Sequence, residues 1–151
     1  MISLVNRIAV VVSILLLQGC QTTAKKPAPP PPPVKPDLSA VMYLRAVFTW
    51  WDAEEPFKVV RVSDDLYRSQ TKLVADGEYY DFKFADASWS SGMNCGYLTE
   101  ADEIVIDNGA PVNANCNSAG SYFRFKPKRT GVFYFYFDNR GDQPKVYIER
   151  K

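Results

Sequence analysis

From Leu38 onward the apolar and polar residues change over in short runs, and nowhere does a 3.6-residue apolar period last three turns. Val41 to Phe48 is rich in branched and aromatic residues, Phe57 to Val62 follows Pro56, and Leu66 to Val74 comes next. After the turn signal Ala75-Asp76-Gly77, Glu78 to Ala85 alternates: Tyr80, Phe82 and Phe84 fall on one face, Tyr79, Asp81 and Lys83 on the other. Ile104 to Ile106 is a short strand. Ser121 to Lys126 and Gly131 to Asp138 are expected to pair across Pro127 to Thr130, and Pro144 to Arg150 closes the chain. In Gly131 to Phe137 the residues Phe133, Phe135 and Phe137 are expected in the core, which leaves Tyr134 and Tyr136 on the outer side. Seven or eight short strands at regular spacing predict an all-β fold, an antiparallel β-sandwich.

The N-terminal pattern is different. Arg7 precedes an apolar run from Ile8 to Leu17, about half the roughly 20 residues a membrane-spanning helix needs. That is the pattern of a secretion signal rather than a span. Leu17-Gln18-Gly19-Cys20 resembles the lipobox of bacterial lipoproteins, in which the cysteine after a small residue receives diacylglycerol. The resemblance implies a signal peptide over 1–19 and a lipidated Cys20 as first mature residue. Acyl chains bind a membrane at about 0.8 kcal/mol per buried CH₂, so the usual three would fix the protein there. Gln21 stands where inner-membrane lipoproteins of enteric bacteria tend to carry Asp, which implies the outer membrane, on a face the sequence does not name. Lys25 to Pro36 holds seven prolines, five in succession. Such a run is a stiff polyproline II rod, read as a spacer over 20–37 that lifts a domain at 38–151; the other reading is a docking motif for a proline-binding module.

Charge and residue usage narrow the chemistry. The 17 acidic residues are balanced by 17 basic ones once Arg7 is set aside from the 18. No long like-charge run suggests nucleic acid or an anionic lipid surface as partner. There is no histidine, hence neither the commonest general base nor the commonest metal ligand. Asp64-Asp65, Glu100, Asp102, Glu103, Asp138 and Asp142 are scattered as in turns and caps rather than paired for catalysis. Asp102, Glu103 and Asp107 lack a calcium-loop spacing. No enzyme activity, metal or cofactor is expected. Cys95 and Cys116, in a chain exported to an oxidising compartment, are expected to form a disulfide worth about 3 kcal/mol by loop-closure entropy. A zinc site is the rival, weakened by the absence of histidine.

Aromatics make up 14% of the chain, and two clusters stand out: Phe48-Thr49-Trp50-Trp51-Asp52, and Phe82-Lys83-Phe84 running to Trp89. The stretch Tyr43-Leu44-Arg45 to Trp51-Asp52 is similar to the opening motif of early-set, immunoglobulin-like glycan-binding domains, the glycogen-binding modules and pullulanase accessory domains. Leu66-Tyr67, Gly77-Glu78-Tyr79, Tyr80 to Trp89 and Phe123 to Asp138 continue the likeness in order, from Met42 to about Glu149. It implies an immunoglobulin-like sandwich and a sugar platform on Trp51 and Trp89, with Lys83 donating to sugar hydroxyls and Trp50 widening or displacing the platform. An aromatic face matches the C–H face of a pyranose, and a charged donor beside it sets orientation. The Asn-rich sugar-contacting turn of those modules has no counterpart here. Ser91 to Ala119, with both cysteines, reads as an insertion. Relatives usually accompany a catalytic domain, and this sequence contains none. The expected ligand is an α-glucan. The alternative is an envelope protein or secretion machine, contacted through a strand edge or the Tyr134/Tyr136 face.

Overall fold

A computed structural model of the chain describes residues 29–30 and 34–151. The expected signal segment, Cys20 and most of the proline run lie outside the described residues. The compact unit starts at Val34, ahead of the expected Leu38. Lys35 accounts for this, because its Nζ donates to the carbonyls of Asn139 (2.5 Å) and Gly141 (2.7 Å).

Ten strands form among the described residues: β1 (Met42–Ala46), β2 (Val60–Ser63), β3 (Leu66–Leu73), β4 (Tyr80–Asp86), β5 (Asn94–Tyr97), β6 (Ile104–Val105), β7 (Val112–Asn115), β8 (Phe123–Phe125), β9 (Gly131–Asp138) and β10 (Lys145–Arg150). Among the described residues the only helical turns are four short 3-10 segments. One layer contains β1, β4, β5, β8 and β6; the other contains β2, β3, β9, β10 and β7, and pairing of β5 with β7 joins them. Every strand pair is antiparallel except β6 with β8.

The phenylalanines predicted to face inward do so. Phe133 and Phe135 are fully buried, as are Phe82, Phe84, Phe123 and Phe125. They meet across the layers: Phe82 and Phe135 at 5.0 Å between ring centroids, Phe125 and Phe133 at 5.0 Å, Phe84 and Phe137 at 5.4 Å. Such tilted and edge-to-face pairs each add about 0.5–1.5 kcal/mol beyond the area they bury.

Two expectations need correction. β8 and β9 are neighbours in sequence but do not pair. β9 is matched to β3 from Leu66↔Asp138 to Leu73↔Gly131 and to β10 along its other edge, so neither edge is free. β8 pairs with β4 instead, and Pro127 to Thr130 crosses between layers. Second, the first strand stops at Ala46 rather than Phe48, because Thr49 Oγ1 exchanges hydrogen bonds with Ala46 N and O and winds Val47–Thr49 into a 3-10 turn. The Ser91 to Ala119 segment, read as an insertion, supplies β5 and β7 as well as β6 at the strand expected over Ile104 to Ile106. β5 (NCGY) and β7 (VNAN) are too short and polar to show an alternating signal. The Cys95–Cys116 disulfide forms as expected and ties the start of β5 to the end of β7.

Candidate functional site

β1 and β4 run antiparallel with Leu44 opposite Phe84 and Arg45 opposite Lys83. Leu44 and Phe84 enter the core, so the pleat turns Arg45 and Lys83 to the outer face. Like charges directly opposite on one face of a sheet repel, and an outer face ordinarily meets solvent. Yet Arg45 is only 5% exposed and Lys83 4%. Loops after β1, after β4 and before β8 fold over this face and contribute the groups that hold the two cations apart.

Arg45 binds the first two of these loops. Its Nε donates to the Trp51 carbonyl (2.6 Å), and its Nη1 to the carbonyls of Asp86 (2.7 Å) and Ala87 (3.2 Å). The guanidinium also lies over Trp89, its carbon 3.5 Å from the ring centroid. Lys83 takes the third loop: Nζ donates to Ser118 O at 2.7 Å, with Ala119 O at 3.5 Å, and sits 5.9 Å from the Trp89 centroid. Burial without a carboxylate partner lowers the Lys83 pKa to about 8, so the ammonium is retained at neutral pH. Burial likewise lowers the pKa of Arg45, while Asp52 and Asp86 act in the opposite sense.

The backbone at the aromatic positions is unusual. Trp50 (φ 51°), Trp51 (φ 64°) and Trp89 (φ 58°) are all left-handed, and these are the three tryptophans of the chain. A bulky residue in that region costs roughly 1–2 kcal/mol, and such strain gathers where a side chain must be aimed. At the first position the strain follows from the turn: Trp50 caps the Val47–Thr49 segment, and Trp51 N then donates back to Ala46 O (3.0 Å). At the second, Asp86 Oδ1 accepts from Ser90 N (2.8 Å) and closes a tight loop around Trp89. Burial pushes the Asp86 carboxyl up, but hydrogen bonds from Ser90 and Ser88 outweigh it and hold the group ionised.

Trp51, Lys83, Trp89, Asn94, Ala119, Gly120 and Tyr122 line one cleft of about 520 Å³. Tyr122 stands beside Trp51, ring centroids 6.0 Å apart and planes at 55°. Lys83 is the only charged residue of the lining. The expected trio Trp51, Lys83 and Trp89 is therefore brought together. Trp50 is not: it is 87% exposed and takes no part in the lining. Sequence reasoning missed Tyr122, Arg45 and Asn94. Tyr122 and Arg45 were within reach, since each takes an outward position in an alternating strand run. Asn94 had no signal, lying in the stretch read as an insertion.

Elsewhere the polar groups serve the fold. Asp102 accepts from Thr99 N and Oγ1 and from Asn113 N and Nδ2, a cap that ties a 3-10 turn to β7. Among the described residues no three acidic or cysteine side chains are grouped to hold a metal ion. The tyrosines on the outer side of β9 are engaged within the domain: Tyr136 stacks on Tyr147 at 4.6 Å and 9°, and Arg68 lies 4.3 Å over Tyr134.

No family model and no curated protein matches this sequence. Among solved structures the chain is similar to the ligand-induced structure of the AmyP starch-binding domain. The TM-score is 0.53 at 14% identity, covering 98% of this chain and 96% of that one. At such low identity the likeness speaks for the fold, an immunoglobulin-like β-sandwich.

Proposed function

We propose that this chain is a non-catalytic carbohydrate-binding lipoprotein of the outer membrane, held there through Cys20 and binding an α-glucan in the cleft between Trp51, Trp89 and Tyr122. One observation carries the reading. Three aromatic rings from three separate loops line a single cleft whose only charged lining group is a buried lysine. Indole and phenol faces match the C–H face of a pyranose, and the lysine donates to ring hydroxyls, which fixes the sugar's orientation. Two of the rings stand on strained backbone, in keeping with a surface shaped for a ligand. The starch-binding domain to which the chain is similar supports a glycan as ligand. The proline run keeps the cleft away from the bilayer.

The test uses the mature chain with Cys20→Ser, which stays in solution. Maltoheptaose is titrated against intrinsic tryptophan fluorescence, with an unrelated glycan as control. Saturable quenching or enhancement by maltoheptaose alone, abolished in Trp51→Ala and Trp89→Ala proteins that still melt cooperatively, is the expected result. A flat titration from a well-folded protein sinks the glycan reading. The anchor is tested separately: Cys20→Ser should move the protein from the membrane fraction to the soluble periplasmic extract and abolish palmitate incorporation.

A further inference from the structure

We infer that the groove continues past Trp89 into a second subsite built by the disulfide-tethered segment, so that the ligand is an extended chain of sugars rather than a single terminal unit. This rests on the glycan reading of the aromatic cleft. A second cleft of about 230 Å³ is lined by Trp89, Ser90, Ser91, Asn94, Cys116, Asn117 and Ala119. It shares Trp89, Asn94 and Ala119 with the aromatic cleft, so the two compartments adjoin along these residues. A cavity of about 150 Å³ already holds a benzene ring; this one has room for a hexose.

The junction carries an unmet need. Asn94 is 9% exposed, and its Oδ1 is buried with no hydrogen-bond partner among the described residues. An unpaired buried acceptor costs about 1–3 kcal/mol, and every other buried side-chain nitrogen or oxygen among the described residues has a partner. The amide torsion of asparagine is soft and roughly two-fold. A modest turn therefore presents Oδ1 to a hydroxyl lying in the groove, and a sugar supplies the missing donor. Beyond the junction the second compartment is preorganised. Asn117 Oδ1 accepts from Ser91 Oγ (3.0 Å) and Gly92 N (2.8 Å), which fixes the amide and leaves Nδ2 to donate. Asn94 N donates to Cys116 O (3.1 Å), and the disulfide beside it holds both walls. The polar groups of the lining are amides and hydroxyls set among Trp89, Cys116 and Ala119, with no charged side chain, which suits a neutral polyhydroxyl chain. The second compartment adds the amides of Asn94 and Asn117 to the aromatic rings and the lysine of the first.

Calorimetric titration of the mature Cys20→Ser chain with α-1,4-linked glucose oligomers of increasing length, from maltose to maltoheptaose, tests this. Affinity should climb by about tenfold when the oligomer outgrows the aromatic cleft, the effect of one or two good hydrogen bonds. Asn117→Ala should remove that increment and leave maltose binding unchanged. Ser91→Tyr, at an exposed position, should block the compartment with the same outcome and guards against a misfolded Asn117 variant. A wild-type protein whose affinity ignores length, or variants that lose affinity equally for every length or for none, would overturn the second subsite alone. Absence of binding to any oligomer would overturn both the subsite and the glycan reading.

Discussion

Arg45 lies beneath Trp89 with its guanidinium carbon 3.5 Å from the indole centroid, while the same side chain holds the backbone that carries Trp51. One buried cation thus sets the relative position of two aromatic walls. Removing it leaves the carbonyls of Trp51, Asp86 and Ala87 short of a donor and the underside of Trp89 unsupported. Arg45→Met should lower unfolding stability by about 2–4 kcal/mol and weaken maltodextrin binding by at least about tenfold. Arg45→Lys should not restore binding, since a point charge cannot match the planar fork. Urea denaturation and fluorescence titration of both variants check this; full rescue by lysine would contradict it.

Lys83 gives the protein a pH signature. Its pKa falls from the ordinary 10.5 to about 8 on folding because the ammonium is buried. Between those values the unfolded chain binds more protons than the folded one, so this group's contribution to stability rises with pH through that window. Comparing wild type with Lys83→Met by denaturation at pH 7 and pH 9.5 isolates the effect: the wild type should gain on the variant at the higher pH. Glycan affinity should move the opposite way and fall as pH passes about 8, because the deprotonated amine is a weaker donor. Affinity that is flat to pH 9.5 would remove Lys83 from the binding role.

Gly96 is held to glycine by space alone. A Cβ built there would stand 2.0 Å from the Ser121 carbonyl oxygen, a backbone atom that cannot step aside cheaply. Ser121 Oγ meanwhile donates to Tyr97 O (3.2 Å), so β5 carries the loop that presents Tyr122. Gly96→Ala should cost about 1–3 kcal/mol by overpacking and weaken binding through displacement of Tyr122. A melting temperature and affinity equal to wild type would show that the approach is looser than the geometry implies.

Trp50 combines an exposed ring with a left-handed backbone. Asparagine visits that region routinely, so Trp50→Asn should leave stability unchanged or raise it by up to about 1 kcal/mol, with maltodextrin affinity within about twofold. A loss well beyond twofold would bring Trp50 into the binding surface.

Much of the fold could be read locally. The alternation in Glu78 to Ala85 and Gly131 to Asp138 named the core phenylalanines, because a side chain's face in a strand is set by its parity. Trp51, Lys83 and Trp89 were reached through likeness to a motif, and the structure gathers all three around one cleft. β5 and β7 escaped notice because strands of four mostly polar residues are stabilised by partners and a disulfide rather than by their own pattern.

Local pattern and composition settled the class of the domain, the phenylalanines of its core and the bond between Cys95 and Cys116, since periodicity and cysteine count are properties of nearby residues and composition. Tertiary structure alone decided that β8 joins β4 rather than β9, that Arg45 and Lys83 are buried on an outer face, and that Tyr122 and Asn94 share a cleft with the tryptophans. Those outcomes depend on which edges remain unpaired and on where left-handed turns send three loops. Both are settled by contacts between residues far apart in the chain, which no local pattern records.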